Sequence, residues 1–201
     1  SQDSLDDAKA QAENLGCPYE IISIKEPIET FENTLSDLSD LAHENIQSRT
    51  RGLILMALSN SNGKMLLSTG NKSEMAVGYA TLYGDMCGGF NALKDLYKTQ
   101  VYQIAEYLGV PESVRSRPPT TDTYSLEQGQ DEFYFSLPYD KMDLCLYGKN
   151  HAVPVETVAV TLGLTPEQVQ RVYDDIDTKR TTTRYLHLSP LLIENVQEIA
   201  H

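Results

Sequence analysis

The sequence predicts an α/β fold in which a parallel sheet lies between helices. Two short apolar segments, residues 19–24 and 65–69, have the composition typical of buried strands. Each comes after a segment whose apolar residues recur at helical spacing, and this alternation of helix and strand is typical of parallel sheets. The 201 residues are enough for one sizeable domain with a buried core.

The predicted helices of the first part begin and end at recognisable capping residues. Ser4 is a candidate N-cap of the first helix, and Gly16 is placed to end it. A short amphipathic helix follows Pro27, and a long one covers residues 38–58. The predicted core side of the long helix contains Leu38, Leu41, Ala42, Ile46, Leu53 and Ala57. Residues 59–63 are polar and predict a turn.

The second part is predicted to be helical apart from two loops. A new helix starts near residues 70–74, residues 81–90 are rich in glycine and predict an irregular loop, and a helix covers 99–108. Residues 115–137 include Pro118, Pro119 and Gly129 and predict a poorly anchored active-site loop. Short helices follow at 138–147, 154–162 and 166–176, the last with Thr165 as its N-cap.

Charge and composition exclude several classes of protein. The chain has 29 acidic and 16 basic residues, a net charge of −13, which argues against general binding to nucleic acid or to anionic membranes. No stretch approaches the ~20 apolar residues of a membrane span, and the acidic N-terminus is unlike a secretory signal. The three cysteines are widely spaced, so we expect reduced thiols in a cytoplasmic protein.

Three polar clusters are candidates for a functional site. Asn45 and Arg49 share one face of the long helix and could bind a phosphate or carboxylate, although a solvated helix face has the same composition. Residues 68–74 follow a strand, at the edge where parallel sheets bind ligands, and Glu74 offers a hard oxygen to Mg²⁺. The alternative for this cluster is an ordinary loop with a capping residue.

The third cluster combines a glycine-rich loop with a lysine at a helix start. Residues 83–90 contain three glycines, which let a ligand approach the backbone, and Lys98 falls where amides and an ammonium group can hold phosphates together. Such a loop is weak evidence alone. The four histidines are scattered and no nucleophile motif occurs, so no catalytic residue is assigned.

A second class of function, DNA binding, comes from residues 158–172. This segment has the pattern of a helix-turn-helix motif, with Gly163 in the turn. The second helix continues into Asp174, Asp175 and Asp177, which would repel a phosphate backbone. Two small packed helices explain the pattern better.

Taken in order, three segments resemble NAD⁺ synthetase: Asn45-Ile-Gln-Ser-Arg-Thr-Arg-Gly52, Leu66-Leu-Ser-Thr-Gly-Asn-Lys-Ser-Glu74 and Tyr79-Ala-Thr-Leu-Tyr-Gly-Asp-Met-Cys-Gly-Gly89. These segments are most similar to the synthetase domain of the glutamine-dependent form, and the resemblance extends from residue 1 to about residue 184. The resemblance implies an adenine-nucleotide α-hydrolase-like, Rossmann-type fold. It also implies a reaction in which deamido-NAD is adenylated by ATP, and ammonia then displaces AMP to form NAD⁺.

The resemblance also implies roles for individual residues. Glu74 would bind Mg²⁺. Arg51 is assigned to ATP, with the substrate side as its alternative. The whole ATP group is Thr69, Lys98, Thr120 and Arg51, and the deamido-NAD group is Asn45, Arg49, Asp85 and Lys179.

One family motif, the Ser-Gly-Gly-x-Asp-Ser pyrophosphate loop, does not occur in the 201 residues. We therefore expect an incomplete sheet, with a partial ATP- and deamido-NAD-binding core in residues 1–137 and a helical extension of the same domain in 138–201. The expected partners are a glutaminase domain of the same parent chain, which supplies ammonia from glutamine, and at least one further copy. This chain alone is not expected to turn over ATP, and a non-catalytic assembly remnant is the alternative.

Overall fold

The computed structural model describes residues 2–78, 80–117 and 137–183, which form helices around a small parallel sheet. The first part contains α1 (Gln2–Leu15), α2 (Lys25–Thr34), α3 (Asp40–Asn62), β1 (Leu67–Ser68), α4 (Lys72–Val77) and β2 (Phe90–Asn91). The second part contains α5 (Lys98–Tyr107), α6 (Glu112–Arg115), α7 (Tyr139–Asn150), α8 (Val155–Leu162) and α9 (Pro166–Thr183).

The described sheet consists of β1 and β2, which pair in parallel. Leu67 lies opposite Phe90, and Ser68 lies opposite Asn91. The pairing continues on one side, where the Gly89 amide donates to the Leu66 carbonyl at 2.9 Å. α4 lies in the connection between the two strands, as a parallel arrangement requires. The predicted parallel sheet with flanking helices is therefore confirmed.

The main core lies between α4, α7, α8 and α9. Its buried side chains are Val77, Tyr139, Met142, Cys145, Leu146, Val158, Ala159, Val169, Val172, Tyr173 and Ile176. α8 and α9, the pair that has the helix-turn-helix pattern, both contribute to this core. The turn between them uses Gly163 at φ +65°, and the Thr165 hydroxyl accepts from the Gln168 amide at 3.3 Å. The two helices are thus part of the core, and the predicted cap is confirmed.

Truncating a side chain at the centre of this core should destabilise the fold. Leu146 is fully buried, so Leu146→Ala should lower the free energy of unfolding by about 2–5 kcal/mol through lost burial and the cavity left behind. Val160 in α8 is 83% exposed, so Val160→Ala should change the free energy of unfolding by less than about 0.5 kcal/mol. Urea unfolding followed by circular dichroism measures both. Equal losses for the two variants would contradict this assignment of the core.

The predicted strand at residues 19–24 is wrong. These residues form no regular element, and Ile21 and Ile22 are exposed. A lone strand leaves its amides and carbonyls without partners, and no strand within residues 2–78, 80–117 or 137–183 pairs with this one. The segment instead contacts α1, where the Tyr19 hydroxyl donates to the Leu5 carbonyl at 3.1 Å.

Several predicted boundaries also differ. The turn at 59–63 is wrong, because α3 continues to Asn62 and ends at Gly63, whose φ of +59° suits glycine. Ser4 lies inside α1 rather than at its N-cap, since that helix already begins at Gln2. The strand at 65–69 is reduced to Leu67–Ser68, the part that has a partner, and the loop predicted at 81–90 ends in β2.

The predicted core side of α3 is covered only in part. Leu41 and Leu53 are each 65% exposed, whereas Thr50 and Gly52 are the residues of this helix that are buried. In the described residues α3 packs against α2 and the loop at 81–87, and these two cover one stripe of the helix. The helices predicted after Pro27 and at 99–108, 138–147, 154–162 and 166–176 are confirmed, and Gly109 follows α5 at φ +72°.

Candidate active site

The first part of the candidate site lies where α3 meets the loop at 81–85. The Thr81 hydroxyl donates to Asn45 Oδ1 at 3.0 Å, and Arg49 Nε donates to the Leu82 carbonyl at 3.1 Å. Asn45 and Arg49 are one helical turn apart, so the predicted shared face is confirmed. The Arg49 side chain is exposed, and the contact through Nε uses only one of its five donors.

Asp85 joins the same group through Ser48 and Thr81. Its Oδ1 accepts from the Ser48 hydroxyl at 2.9 Å and from the Thr81 amide at 2.8 Å, and its own amide donates to Ser48 Oγ at 3.2 Å. These contacts fix the carboxylate next to α3 although Asp85 is exposed. The structure therefore brings together three of the residues assigned to deamido-NAD, which we call the α3 group: Asn45, Arg49 and Asp85.

The second part of the site is an ion pair between Glu74 in α4 and Lys98 in α5. Lys98 Nζ lies 3.3 Å from Glu74 Oε1, and the two side chains are only 19% and 17% exposed. The ammonium group also faces the rings of Tyr102 and Tyr139, at 5.8 and 5.6 Å from their centroids. A partly desolvated pair of this kind has stronger electrostatic interactions than one on the open surface.

α4 is held in place at both ends. At its start, Asn71 Oδ1 accepts from the Glu74 amide at 3.0 Å, and Glu74 Oε2 accepts from the Asn71 amide at 3.1 Å, which completes a capping box. Near its end, Arg180 Nε donates to the Ala76 carbonyl at 2.7 Å. Burial lowers the pKa of Arg180 below its ordinary value. The position of Glu74 is thus set by local capping and by a contact from α9.

A buried polar network lies next to the ion pair, and it was not predicted from the sequence. Asp143 accepts from the Ser73 hydroxyl, and its other oxygen accepts from the Thr99 amide and hydroxyl, both at 2.8 Å. Ser73 Oγ also accepts from the Lys98 amide at 2.9 Å. The signal was a carboxylate on an apolar helix face, since Tyr139 and Leu146 lie one turn before and after Asp143.

The remaining predicted residues lie apart from these contacts or outside the described residues. Thr69 follows β1 and is exposed, and Arg51 is half-buried in α3. Lys179 lies in α9, where its ammonium group is 2.6 Å from the Asp175 carboxylate. Thr120, and most of the predicted loop at 115–137, fall within residues 118–136, which lie outside the described residues.

An apolar groove of about 790 Å³ borders the α3 group. It is lined by Phe31, Leu35, Ile46, Arg49, Thr50, Gly52, Leu53, Met56, Leu82, Tyr83, Met86 and Cys87. Burial raises the pKa of the Cys87 thiol, so it is protonated near neutral pH. The groove therefore offers an apolar surface beside the polar groups of Asn45, Arg49 and Asp85.

The oxygen donors at the ion pair suit Mg²⁺ bound together with phosphates. Mg²⁺ in proteins usually takes one or two carboxylates and completes its shell with water and substrate oxygens, and Glu74 supplies one partly exposed carboxylate. No cluster of three or more His, Cys, Asp or Glu side chains placed to hold a metal occurs in the part of the chain that the structure describes.

Over the same residues, no helix has the length and apolar character needed to cross a membrane.

A family profile described as NAD synthase matches residues 1–184 of this chain. The chain belongs to the NAD synthase family. An NH(3)-dependent NAD(+) synthetase from Rhizobium rhizogenes is 49% identical over 159 residues, which cover 79% of this chain and 48% of that protein. A glutamine-dependent NAD(+) synthetase from Acinetobacter baylyi is 39% identical over 203 residues, covering 94% of this chain and 37% of that protein. The chain thus spans about half the length, or less, of these relatives.

A solved structure of a similar protein supports the fold. The structure of NMN synthetase from Francisella tularensis superposes with a TM-score of 0.76 at 21% identity, covering 96% of this chain and 73% of that chain. The chain therefore has the adenine-nucleotide α-hydrolase-like fold that the resemblance implied.

Proposed function

We propose that this chain carries the synthetase part of an enzyme that amidates deamido-NAD to NAD⁺ at the expense of ATP. Membership of the NAD synthase family supports the reaction class. The observation that carries the proposal is the Glu74–Lys98 pair. Glu74 follows the carboxyl end of β1 and Lys98 follows that of β2, at the edge where parallel sheets bind ligands. A carboxylate and an ammonium group held together there suit a nucleotide that carries both phosphates and Mg²⁺.

Negative charge must be neutralised in both steps of the reaction. A carboxylate oxygen of deamido-NAD attacks the α-phosphorus of ATP, and the bond to pyrophosphate breaks. The nitrogen of ammonia then attacks the resulting acyl carbon, AMP leaves with the former carboxylate oxygen, and the nitrogen loses one proton to solvent. Lys98 would bind phosphate oxygens as charge builds up on them. Glu74 would hold Mg²⁺, which when bound neutralises phosphate charge.

The α3 group would bind deamido-NAD. The free guanidinium donors of Arg49 suit a phosphate of the dinucleotide, and Asp85 can accept from hydroxyl groups of a ribose. Its carboxylate is already held by Ser48 and Thr81, so little entropy is lost when a ligand binds. We also propose that Lys179 completes this site and that Thr69, Thr120 and Arg51 contact ATP.

We further propose that the nitrogen comes from glutamine through a glutaminase domain, and that the enzyme works as a homo-oligomer. The relatives include proteins named as NH(3)-dependent and as glutamine-dependent, so the test supplies both nitrogen donors.

The test measures NAD⁺ formed by the full-length gene product from ATP, Mg²⁺ and deamido-NAD, with either ammonia or glutamine. We expect one AMP and one pyrophosphate for each NAD⁺. Deamido-NAD labelled with ¹⁸O in its carboxylate should transfer one labelled oxygen to AMP. AMP without label would contradict the adenylate, and absence of NAD⁺ with both nitrogen donors would contradict the proposed function.

A further inference from the structure

We infer that Asp143 is a positioning residue for the Glu74–Lys98 pair. Asp143 is 4% exposed and lies on α7, whereas the pair lies on α4 and α5. The inference rests on the proposed function, because that function assigns the pair to Mg²⁺ and ATP. In the described network the Asp143 carboxylate contacts Ser73 and Thr99 rather than the side chain of Glu74 or Lys98.

The contacts of Asp143 bind the starts of two helices to a third. Thr99 is the second residue of α5, and its amide and hydroxyl both donate to Asp143 Oδ2 at 2.8 Å. The first amides of a helix have no partner within it, so this carboxylate caps α5 from outside and also interacts favourably with the positive end of its dipole. The side chain of Lys98 thus projects from a turn that Asp143 holds.

Ser73 extends the same network to α4. Its fully buried hydroxyl donates to Asp143 Oδ1 and accepts from the Lys98 amide at 2.9 Å. Ser73 is the neighbour of Glu74, so one hydroxyl group joins the backbone beside the carboxylate to the backbone beside the ammonium group. Asp143 and Ser73 therefore set the 3.3 Å separation of the ion pair through the backbone next to each of its members.

Asp143→Asn tests this inference with the least change in shape. The amide oxygen can still accept both bonds from Thr99, and the amide nitrogen can donate to Ser73 Oγ, but the Ser73 hydroxyl then has no acceptor there and the negative charge beneath α5 is lost. We expect the full-length protein, assayed with ammonia, to lose about 10- to 100-fold in kcat/KM for MgATP, as for other residues that orient functional groups. Thr99→Val should act in the same direction and Thr99→Ser should restore activity, because serine keeps the hydroxyl group.

A double-variant cycle separates positioning from a general loss of stability. If Asp143 acts through Lys98, then Asp143→Asn should have less than about threefold effect in a protein that already carries Lys98→Ala. Val169→Ala is the matched control, since it opens a cavity in the same core without touching the network. It should lower the Tm while leaving kcat/KM for MgATP within about twofold at a temperature well below the transition.

Hydrogen exchange gives a readout independent of turnover. In Asp143→Asn the amides of Lys98 and Thr99 should lose part of their protection, because a neutral amide oxygen is a weaker acceptor than a carboxylate and the Ser73 hydroxyl loses its acceptor, whereas those of α9 should keep theirs. Independent effects of Asp143→Asn and Lys98→Ala, or unchanged protection of these two amides, would overturn the inference. If Lys98→Ala and Glu74→Gln themselves leave the dependence on MgATP unchanged, then the proposed function of the site fails instead.

Discussion

Lys98→Ala should lower the kcat of the full-length protein with ammonia by about 100- to 1,000-fold, the range seen when a preorganised charge is removed from a transition state. The Lys98 side chain is only 19% exposed, and its ammonium group lies 5.8 and 5.6 Å from the ring centroids of Tyr102 and Tyr139, so water cannot readily replace it. Alanine is a good helix former, and the backbone amide of residue 98 keeps its bond to Ser73. We therefore expect the fold to be retained.

Glu74→Gln should act on the same step by removing the anionic ligand for Mg²⁺, with a loss of about 10- to 100-fold that higher Mg²⁺ relieves in part. The glutamine oxygen can still accept from the Asn71 amide, so the cap of α4 is preserved. Steady-state kinetics over a range of ATP and Mg²⁺ concentrations measure both variants. Lys94→Ala, which removes the same charge from an exposed position, is the control, and losses below twofold for Lys98→Ala and Glu74→Gln would remove both residues from the site.

Local spacing was sufficient for the parts of the site that lie on one element. Asn45 and Arg49 share a helix face because they are four residues apart, and Lys98 begins α5 as its position before a helical pattern indicated. The network of Asp143 was not predicted because its members are distant in sequence: Ser73 and Thr99 are separated from Asp143 by 70 and 44 positions. A single sequence records no such pairing.

The errors in the fold have the same origin. The segment at 19–24 has the composition of a buried strand, but a strand is stable only with a neighbour, and composition does not specify one. The residues at 59–62 favour turns, yet they extend α3, because helix formation is cooperative and Nδ2 of the Asn62 side chain donates to the Leu58 carbonyl at 2.8 Å. Signals carried within one element, such as the Thr165 cap or the glycine after α5, were sufficient by themselves.

Gly84→Ala should raise the KM for deamido-NAD by about 10- to 100-fold while changing the KM for ATP far less. A Cβ at residue 84 would lie 2.2 Å from Ser48 Oγ and 3.1 Å from the Ser48 carbonyl carbon. The same hydroxyl group holds Asp85 in place. The loop must therefore move away from α3, and overpacking of this kind costs about 1–3 kcal/mol, which corresponds to the stated range of affinity.

Gly89→Ala is the matched control, because its new Cβ would meet only the flexible Met65 side chain at 3.3 Å and one carbonyl at 3.9 Å. It should leave both KM values within about twofold.

Arg49→Gln supplies a second line of evidence that does not depend on how the loop relaxes, since it removes a charge of the α3 group and should raise the KM for deamido-NAD as well. A normal KM for deamido-NAD in both Gly84→Ala and Arg49→Gln, with a folded protein by circular dichroism, would show that the substrate binds elsewhere. An equal rise in both KM values for Gly84→Ala would contradict the assignment of this loop to deamido-NAD alone.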